Sequence, residues 1–237
     1  MFPYDDAILA RVQTTPDSVA GVLDTMQSID ALCIDGDGLK WFNGLYLEVT
    51  GAVAARVSAG GFADPAWMAA LDVHFAGLYF DALRTALSGE STPGCWRALF
   101  DRRDQLAVAR IQFAMAGVNA HINHDLPIAL VNTGPAPVYG GVHYRDYTAI
   151  NDTLETLIDR AKTTLHVRLL GDLLPPVSTL EDALAAFSMT AAREAAWNHA
   201  EILWAIRDTP LFARTLDVLD GMTAVIGKTL LAPVPMP

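Results

Sequence analysis

A cluster of polar side chains stands near the middle of the chain, among residues that are otherwise small and apolar. The run Asn119-Ala-His121-Ile-Asn123-His124-Asp125 contains two amides, two imidazoles and a carboxylate. Burying such groups costs free energy unless each finds a hydrogen-bond partner. The sequence therefore predicts either a satisfied internal network or a site for chemistry.

His121 and Asp125 have the most useful spacing in this cluster. Residues four apart share one face of an α-helix, so the carboxylate can select the tautomer of the imidazole and raise its pKa. An imidazole held in this way can act as a general acid or base. Asn119 and Asn123 share a neighbouring face at the same spacing. In the structural alternative, Asp125 and the asparagines cap a helix end and His121 bonds to a backbone carbonyl.

A divalent metal is the alternative for the same region. His121 and His124 offer ring nitrogens, and Asp72 and His74 on another predicted helix offer an oxygen and a nitrogen. The neighbours His124 and Asp125 point about 100° apart around a helix axis, so one helix cannot aim all its candidate ligands at one ion without distortion. We therefore expect no resident metal or cofactor, and keep a helical metal-dependent hydrolase as the alternative.

A second set of side chains follows one stripe of a predicted helix nearer the carboxyl terminus. Arg193, Trp197, Glu201 and Trp204 are separated by four, four and three residues, which places them on one helical face. A guanidinium beside two indoles could line a pocket for a flat or apolar substrate. The alternative is that Arg193 forms an ion pair, with Glu201 or with another helix, while the tryptophans pack in the core.

The elements that must position these groups are helices. Hydrophobic residues make up 52% of the 237 residues and charged residues 18%, as in a helical protein with one large core. Capping side chains followed by proline mark helix starts at Thr15-Pro16, Asp64-Pro65, Thr92-Pro93 and Thr209-Pro210. We predict helices over 5–13, 16–29, 39–59, 65–88, 93–102, 104–124, 145–173, 179–207 and 210–230.

Two apolar stripes and one helix of small residues define the predicted core. The stripes are Phe42, Leu45, Val49, Val53 and Val57, and Ile150, Leu154, Leu157, Ala161 and Leu165. Helix 104–124 contains five alanines and one glycine, Gly117, and such small residues let neighbouring helices approach it closely. We predict an all-α fold, a single domain over 1–237 with about eight or nine helices around this central one. The irregular segment 131–144 is expected to be a loop that covers a pocket.

Charge and cysteine content limit the expected partners. A net charge of −11 argues against nucleic acid and against an anionic membrane surface, because both bind clustered Lys and Arg. The chain shows no apolar run long enough to span a bilayer, and its first residues lack the pattern of a secretory signal. Cys33 and Cys95 have no disulfide-framework spacing. We expect a cytoplasmic protein with a small-molecule substrate, assembled as a homo-oligomer.

Four groups of motifs occur in order along the chain. They are Gly36-Asp-Gly-Leu-Lys-Trp-Phe-Asn-Gly-Leu-Tyr-Leu-Glu-Val-Thr50, then Phe62-Ala-Asp-Pro65 with Leu71-Asp72 and Leu78-Tyr-Phe80, then Asn119-Ala-His-Ile-Asn-His-Asp-Leu-Pro127, then Arg193-Glu-Ala-Ala-Trp197 with Leu203-Trp204. Over residues 36–207, this series resembles a bacterial family catalogued as domain of unknown function 5995. The resemblance implies an intracellular bacterial protein and names no reaction.

The family's central pattern resembles Asn-Ala-His-Ile-Asn-x-Asp-Leu. It falls on Asn119, His121, Asn123 and Asp125. His124 occupies the variable position, and the family usually has an apolar residue where this chain has His74. The resemblance therefore weakens the metal alternative, and it implies that His74 and His124 adapt a shared pocket to this member's substrate.

These residues together predict an enzyme that acts on a largely apolar small molecule in a helical pocket. The chemistry is acid/base catalysis centred on His121, in hydrolysis, isomerisation or cyclisation. The predicted catalytic residues are His121, Asp125, Asp72 and Arg193. The predicted substrate-binding residues are Asn119, Asn123, His74, His124, Trp197 and Trp204. Besides the metal-dependent hydrolase, the other alternative is a non-catalytic binding or scaffold protein whose polar cluster only holds the core together.

Overall fold

The computed structural model describes residues 2–165 and 188–233, and the regular elements in these two ranges are all helical. The helices are α1 (Asp5–Arg11), α2 (Val19–Leu32), α3 (Gly38–Ser58), α4 (Pro65–Ser88), α5 (Gly94–Phe100), α6 (Arg110–Ala120), α7 (Leu126–Thr133), α8 (Val142–Thr148), α9 (Asn151–Thr164), α10 (Met189–Ile206) and α11 (Leu211–Leu230). A π-helical turn, His121–Asp125, joins α6 to α7. The predicted all-α, single-domain fold is confirmed. Across the described ranges, no helix is both long enough and apolar enough to cross a membrane.

Helix α6 lies at the centre of the bundle, and glycine lets α3 pack directly against it. Every residue of α6 from Ile111 to Ala120 is buried. A Cβ on Gly117 of α6 would overlap the ring of Phe42 on α3. A second contact has the glycine and the ring on the opposite helices. A Cβ on Gly38 of α3 would overlap the ring of Phe113 on α6. The predicted close packing against the central helix is therefore present, because the two glycines let α3 and α6 approach each other.

The central helix differs from its predicted bounds at both ends. Residues 104–109 form turns, so α6 begins only at Arg110. At the other end the helix continues past residue 124 through the π turn, in which the N–H of Leu126 donates to the carbonyl of His121, five residues earlier. Pro127 has no N–H, and in a regular α-helix its ring clashes with the carbonyl four residues before it. A wider turn just before the proline relieves this clash and lets the helix run on to Thr133.

The capping residues predicted from the sequence mark both ends of α4 correctly, but the predicted start of α2 is three residues too early. Asp64 caps α4, since its carboxylate accepts the N–H of Trp67 at 2.9 Å, and Pro65 occupies the first turn. Gly89 ends the same helix in the left-handed conformation, with φ of 73°. Helix α2 starts later than predicted because its cap is Ser18 instead of Thr15.

Helix α5 begins without the predicted cap. Thr92 does not bond to the exposed backbone donors of this helix. The N–H groups of Gly94 and Cys95 instead donate to the two carboxylate oxygens of Asp220 on α11, each at 2.8 Å. The cap thus comes from a residue more than a hundred positions away, which no local pattern can indicate.

The irregular segment is shorter than the predicted 131–144 loop. Helix α7 covers residues 131–133 and α8 starts at Val142, which leaves 134–141 without regular structure. The carbonyl of Gly134 accepts the indole N–H of Trp67 at 2.7 Å, and the N–H of Tyr139 donates to Glu201 at 3.0 Å. These bonds tie the loop to α4 and α10.

Two predicted helices are described only in part. The prediction over 145–173 is replaced by α8 and α9, which are separate helices that meet at residues 149–150. The prediction over 179–207 corresponds to α10 from Met189 onward. The remaining residues of both predictions, 166–173 and 179–187, lie outside the described ranges.

Candidate functional site

A cavity of about 70 Å³ lies beside the π turn. Members of both predicted apolar stripes form its walls: Phe42, Leu45, Val49 and Val53 from α3, and Ile150 and Leu154 from the start of α9. Three of the four predicted catalytic residues, His121, Asp72 and Arg193, also line it. A mostly apolar cavity with a few polar groups is typical of a small-molecule site. Since a water needs about 10–15 Å³ of such space, this cavity has room for a molecule of several heavy atoms.

The imidazole of His121 is buried and held from several sides. Its Nδ1 lies 3.0 Å from Oδ2 of Asp125, and the ring of Phe75 stacks on it with the centroids 3.5 Å apart. The ring of Tyr46 meets it edge-on at 4.4 Å. Because Asp125 accepts a hydrogen bond, Nδ1 carries the proton and Nε2 keeps a lone pair. Burial lowers the pKa of His121 and outweighs the opposing effect of Asp125, so the imidazole is neutral.

The carboxylate of Asp125 forms the other half of this pair and is buried behind it. Its Oδ2 accepts from Nδ1 of His121 and from the indole N–H of Trp96 at 2.9 Å, and its Oδ1 accepts from Nδ1 of His124 at 2.7 Å. Burial by itself raises the pKa of Asp125, but the bonds from the two histidines outweigh it and leave the pKa below its usual value. The hydrogen bond predicted from the four-residue spacing is therefore present, with an ionised carboxylate.

Three cavity residues carry buried polar atoms that have no partner among the described residues. They are Oδ2 of Asp72, Nε2 of His121 and the hydroxyl of Tyr46. Burial raises the pKa of Asp72 to about 7, which stabilises the protonated acid near neutral pH. The cavity thus borders a carboxylic acid able to donate a proton and a neutral imidazole able to accept one.

Arg193 lines the cavity, but its hydrogen bonds tie it to the fold. Its Nε donates to Oδ1 of Asn151 at 2.8 Å and its Nη2 donates to the carbonyl of Tyr147 at 2.7 Å. The guanidinium also lies over the Tyr147 ring, 3.9 Å from its centroid. The alternative of an ion pair with Glu201 is wrong, because Glu201 accepts instead from the indole N–H of Trp197 at 3.1 Å. The guanidinium joins α10 to α8 and α9 and brings a positive charge to the cavity wall.

Three residues predicted to bind substrate, the amides Asn119 and Asn123 and the imidazole His74, lie away from the cavity. Asn119 donates to the carbonyl of Thr223 at 2.9 Å and accepts from Asn123 at 3.0 Å. This pair holds α6 and the π turn against α11. His74 is exposed on the outer face of α4, where its Nδ1 lies 2.9 Å from the hydroxyl of Thr133. None of these three predicted substrate-binding residues lines the cavity.

The two tryptophans of the predicted pocket face pack against the fold. Trp197 is buried between the rings of Tyr144 and Tyr147, with centroids at 5.2 and 5.0 Å. Trp204 lies beside Gly134 of the 134–141 loop and under the guanidinium of Arg207. Neither indole lines the cavity, although Arg193 on the same stripe does.

The four residues of the metal alternative are not brought together. His121 and Asp72 share the cavity, whereas His74 is on the exposed face of α4 and His124 does not line the cavity. Within the described ranges, the set of potential ligands that converges around His124 is a different one, with Cys95 and Asp220. A metal-dependent hydrolase built on the predicted four residues therefore gains no geometric support.

Three aromatic residues of the site were missed by sequence reasoning. Phe75 follows Asp72 by three residues, so its helical spacing could have placed it on the cavity face. Tyr46 follows Leu45, a member of the predicted stripe of α3, and it also lines the cavity. Trp96 gave no signal, because its bond to Asp125 joins residues from different helices.

Comparisons with known proteins identify the chain at the level of the family. No curated protein matches it. No solved structure matches it either. A family model does match, over residues 19–233, which is most of the chain and includes the π turn and every residue that lines the cavity. The chain therefore belongs to the family of unknown function DUF5995.

Proposed function

We propose that this protein is an enzyme that moves a proton on a small, largely apolar molecule bound in the cavity. His121 accepts the proton at Nε2, Asp125 orients the imidazole and balances the imidazolium charge, and Asp72 donates a proton as the general acid. One observation supports this assignment above the others. Two unpartnered buried atoms of complementary function, Nε2 of His121 and Oδ2 of Asp72, belong to residues of one apolar cavity.

Isomerisation or cyclisation suits this cavity better than hydrolysis. A bound water needs two to four polar partners, and the cavity walls are largely aliphatic and aromatic. In an isomerisation, His121 removes a proton from the carbon beside a carbonyl group while Asp72 protonates the carbonyl oxygen. Where the substrate is a β,γ-unsaturated carbonyl compound, the resulting dienol takes the proton back from His121 at its γ-carbon and returns its hydroxyl proton to Asp72. The nearby guanidinium of Arg193 favours any negative charge on that oxygen.

Proton abstraction can be tested before the natural substrate is known. The experiment follows, by proton NMR in D₂O, the exchange of the α-hydrogens of a panel of small ketones, including butanone and cyclopentanone. We expect the wild-type protein to accelerate exchange, and His121→Gln and Asp72→Asn to lose the acceleration while they remain folded by circular dichroism. His74→Gln, on the outer face of the same helix as Asp72, is the matched control and should exchange like the wild type. Equal rates for the wild type and His121→Gln across the panel would contradict the proposal.

A non-catalytic scaffold is the second candidate, and the network around Asp125 favours it. The carboxylate accepts from His121, His124 and Trp96, so it is fully used inside the fold. Predicted ligands such as Asn119 and Trp197 also serve packing. A scaffold role would be supported if His121→Gln melted far below the wild type and no panel ketone bound to either protein.

We also propose the bacterial cytoplasm as the location and a homo-oligomer as the assembly. Two buried free thiols, Cys33 and Cys95, support a reducing compartment, in line with the family resemblance. The oligomer is supported by exposed apolar side chains on α11: Leu211, Val218, Met222, Val225 and Ile226. Light scattering should give the wild type a mass that is a multiple of 25.5 kDa, and Met222→Glu a lower multiple. A monomeric wild type would rule out the oligomer.

A further inference from the structure

Three potential metal ligands converge where α5, the π turn and α11 meet. One ligand atom from each of Cys95, His124 and Asp220 lies within 4.8 Å of the other two. Cys95 and His124 are buried, with 1% and 7% of their surface exposed, while Asp220 is half-buried and gives the cluster an edge toward solvent. Thiolate, imidazole and carboxylate are the donors that zinc takes in proteins, at ligand separations of about 3.3–3.6 Å in a tetrahedral site. The ligand atoms must approach one another by at most about 1.5 Å to reach that geometry.

The surroundings already orient two of these ligands. Nδ1 of His124 donates to Oδ1 of Asp125 at 2.7 Å, which leaves Nε2 as the ring nitrogen available to a metal. A carboxylate behind the histidine is the arrangement that commonly supports zinc-binding imidazoles. The carboxylate of Asp220 is held by the N–H groups of Gly94 and Cys95, both at 2.8 Å, and it also accepts a hydrogen bond from the Cys95 thiol. A ligand set with this much support needs little reorganisation to bind an ion.

We infer that Cys95, His124 and Asp220 form a zinc site, with the thiolate, Nε2 and one carboxylate oxygen as ligands and a water molecule in the fourth position. Binding releases the thiol proton to solvent, together with the Nε2 proton wherever His124 is an imidazolium. The thiolate and the carboxylate then carry two negative charges that Zn²⁺ neutralises, so the partly buried cluster has no net charge. This site is separate from the cavity, because none of its three ligands lines the cavity walls.

The zinc site joins elements that the catalytic proposal uses. Asp125 accepts from His124 with one oxygen and from His121 with the other, so an ion on His124 also holds the carboxylate that orients His121. Metal binding therefore stabilises the packing of α5 and α11 on the π turn. The zinc site does not require that His121 be catalytic.

The test measures metal binding by the full-length protein without an affinity tag, after dialysis against a chelator. Titration calorimetry should show one equivalent of Zn²⁺ per chain and a higher melting temperature. Co²⁺ in the same site should give a thiolate-to-cobalt absorption band in the near ultraviolet. Cys95→Ser should lose this band, and Asp220→Asn should weaken Zn²⁺ binding by at least about tenfold.

Two matched variants control for the loss of a thiol and of a carboxylate. Cys33→Ala removes the other buried thiol, and Asp217→Asn removes an exposed carboxylate one turn before Asp220 on the same helix. Both should bind Zn²⁺ like the wild type. The inference is overturned if the wild type fails to take up stoichiometric Zn²⁺, if its cobalt complex lacks the thiolate band, or if Cys95→Ser binds as well as the wild type. Should Asp220→Asn not fold, the wild-type cobalt spectrum still decides.

Discussion

Phe75 stacks face to face on the imidazole of His121, with the ring centroids 3.5 Å apart and the planes 7° apart. Asp125 holds Nδ1 of the same imidazole, so one neighbour sets the plane of the ring and the other sets its rotation within that plane. Phe75 lies one turn after Asp72 on α4. A single helix therefore carries both the proposed general acid and the ring that orients the proposed base.

Replacing Phe75 by leucine should slow catalysis more than it harms folding. Without the stacked ring the imidazole can tilt, so we expect the ketone exchange rate to fall at least about tenfold, with about 1–2 kcal/mol lost from the free energy of unfolding. NMR exchange and urea denaturation measure the two effects. Phe80→Leu, buried on the same helix but not on the cavity wall, is the control for lost packing. If both variants exchange at the same rate, Phe75 does not orient His121.

The buried Asp72 should make stability fall as pH rises. Its pKa is raised from 3.8 to about 7 in the folded protein, so the folded state binds more protons than the unfolded state between these values. The wild type should therefore lose up to about 4 kcal/mol, relative to Asp72→Asn, as the pH rises from about 4 to above 7. Urea denaturation of both proteins across this pH range measures the difference.

Comparison of the two proteins isolates the effect of Asp72. Tyr46 from α3, His121 from the π turn and Arg193 from α10 line the same cavity and are present in both. Asp217→Asn, an exposed carboxylate on α11, should follow the pH dependence of the wild type. A stability difference between wild type and Asp72→Asn that stays constant with pH would show that the pKa of Asp72 is the same in the folded and the unfolded states.

The carboxylate of Asp125 should be hard to replace, even by its amide. An asparagine presents only one acceptor oxygen to the N–H groups of His121, His124 and Trp96, so at least one buried donor loses its partner. We expect Asp125→Asn to lower the free energy of unfolding by about 2–4 kcal/mol, read from the urea midpoint. Asp101→Asn, which disturbs only an exposed ion pair, should change it by less than about 1 kcal/mol. Equal midpoints for both variants would mean that the cluster does not support the core.

Glycine at position 117 should be required by packing, in contrast to glycine at position 51. A Cβ on Gly117 overlaps the ring of Phe42, so Gly117→Ala should cost about 1–3 kcal/mol of stability. Gly51, in the middle of α3, has open space around its Cα, and Gly51→Ala should be neutral or stabilising by up to about 1 kcal/mol. Thermal denaturation of the two variants measures both signs. Similar losses in both would show that helix flexibility, and not the contact with Phe42, requires glycine.

Features that depend on spacing within one helix were predictable. The hydrogen bond between His121 and Asp125 follows from their separation of four residues. It is present although both residues belong to the π turn. The apolar stripe of α3 was assigned to the core for the same reason, and four of its members line the cavity. Asp64 and Gly89 mark the ends of α4 because capping depends on atoms within one turn.

Features that join distant parts of the chain were not predictable. Asp220 caps α5 and meets Cys95 and His124, although nothing in the local sequence of α11 distinguishes it from Asp217, the other acidic residue of this helix. Trp197 has the right spacing for the predicted pocket face, but α8 covers it with Tyr144 and Tyr147. Spacing assigns a residue to a face of its helix, whereas the neighbouring helix decides whether that face meets a cavity or solid packing.

The sequence by itself determined the helices, the small residues that place α6 at the centre, and the pairing of His121 with Asp125, because each depends on backbone geometry over a few residues. Only the tertiary structure decided that Asp72 joins His121 at one cavity, that His74 stays outside it, and that His124 faces Cys95 and Asp220. These outcomes depend on how α4, α5 and α11 pack around the π turn. Such packing depends on the shapes of surfaces formed by residues far apart in the chain.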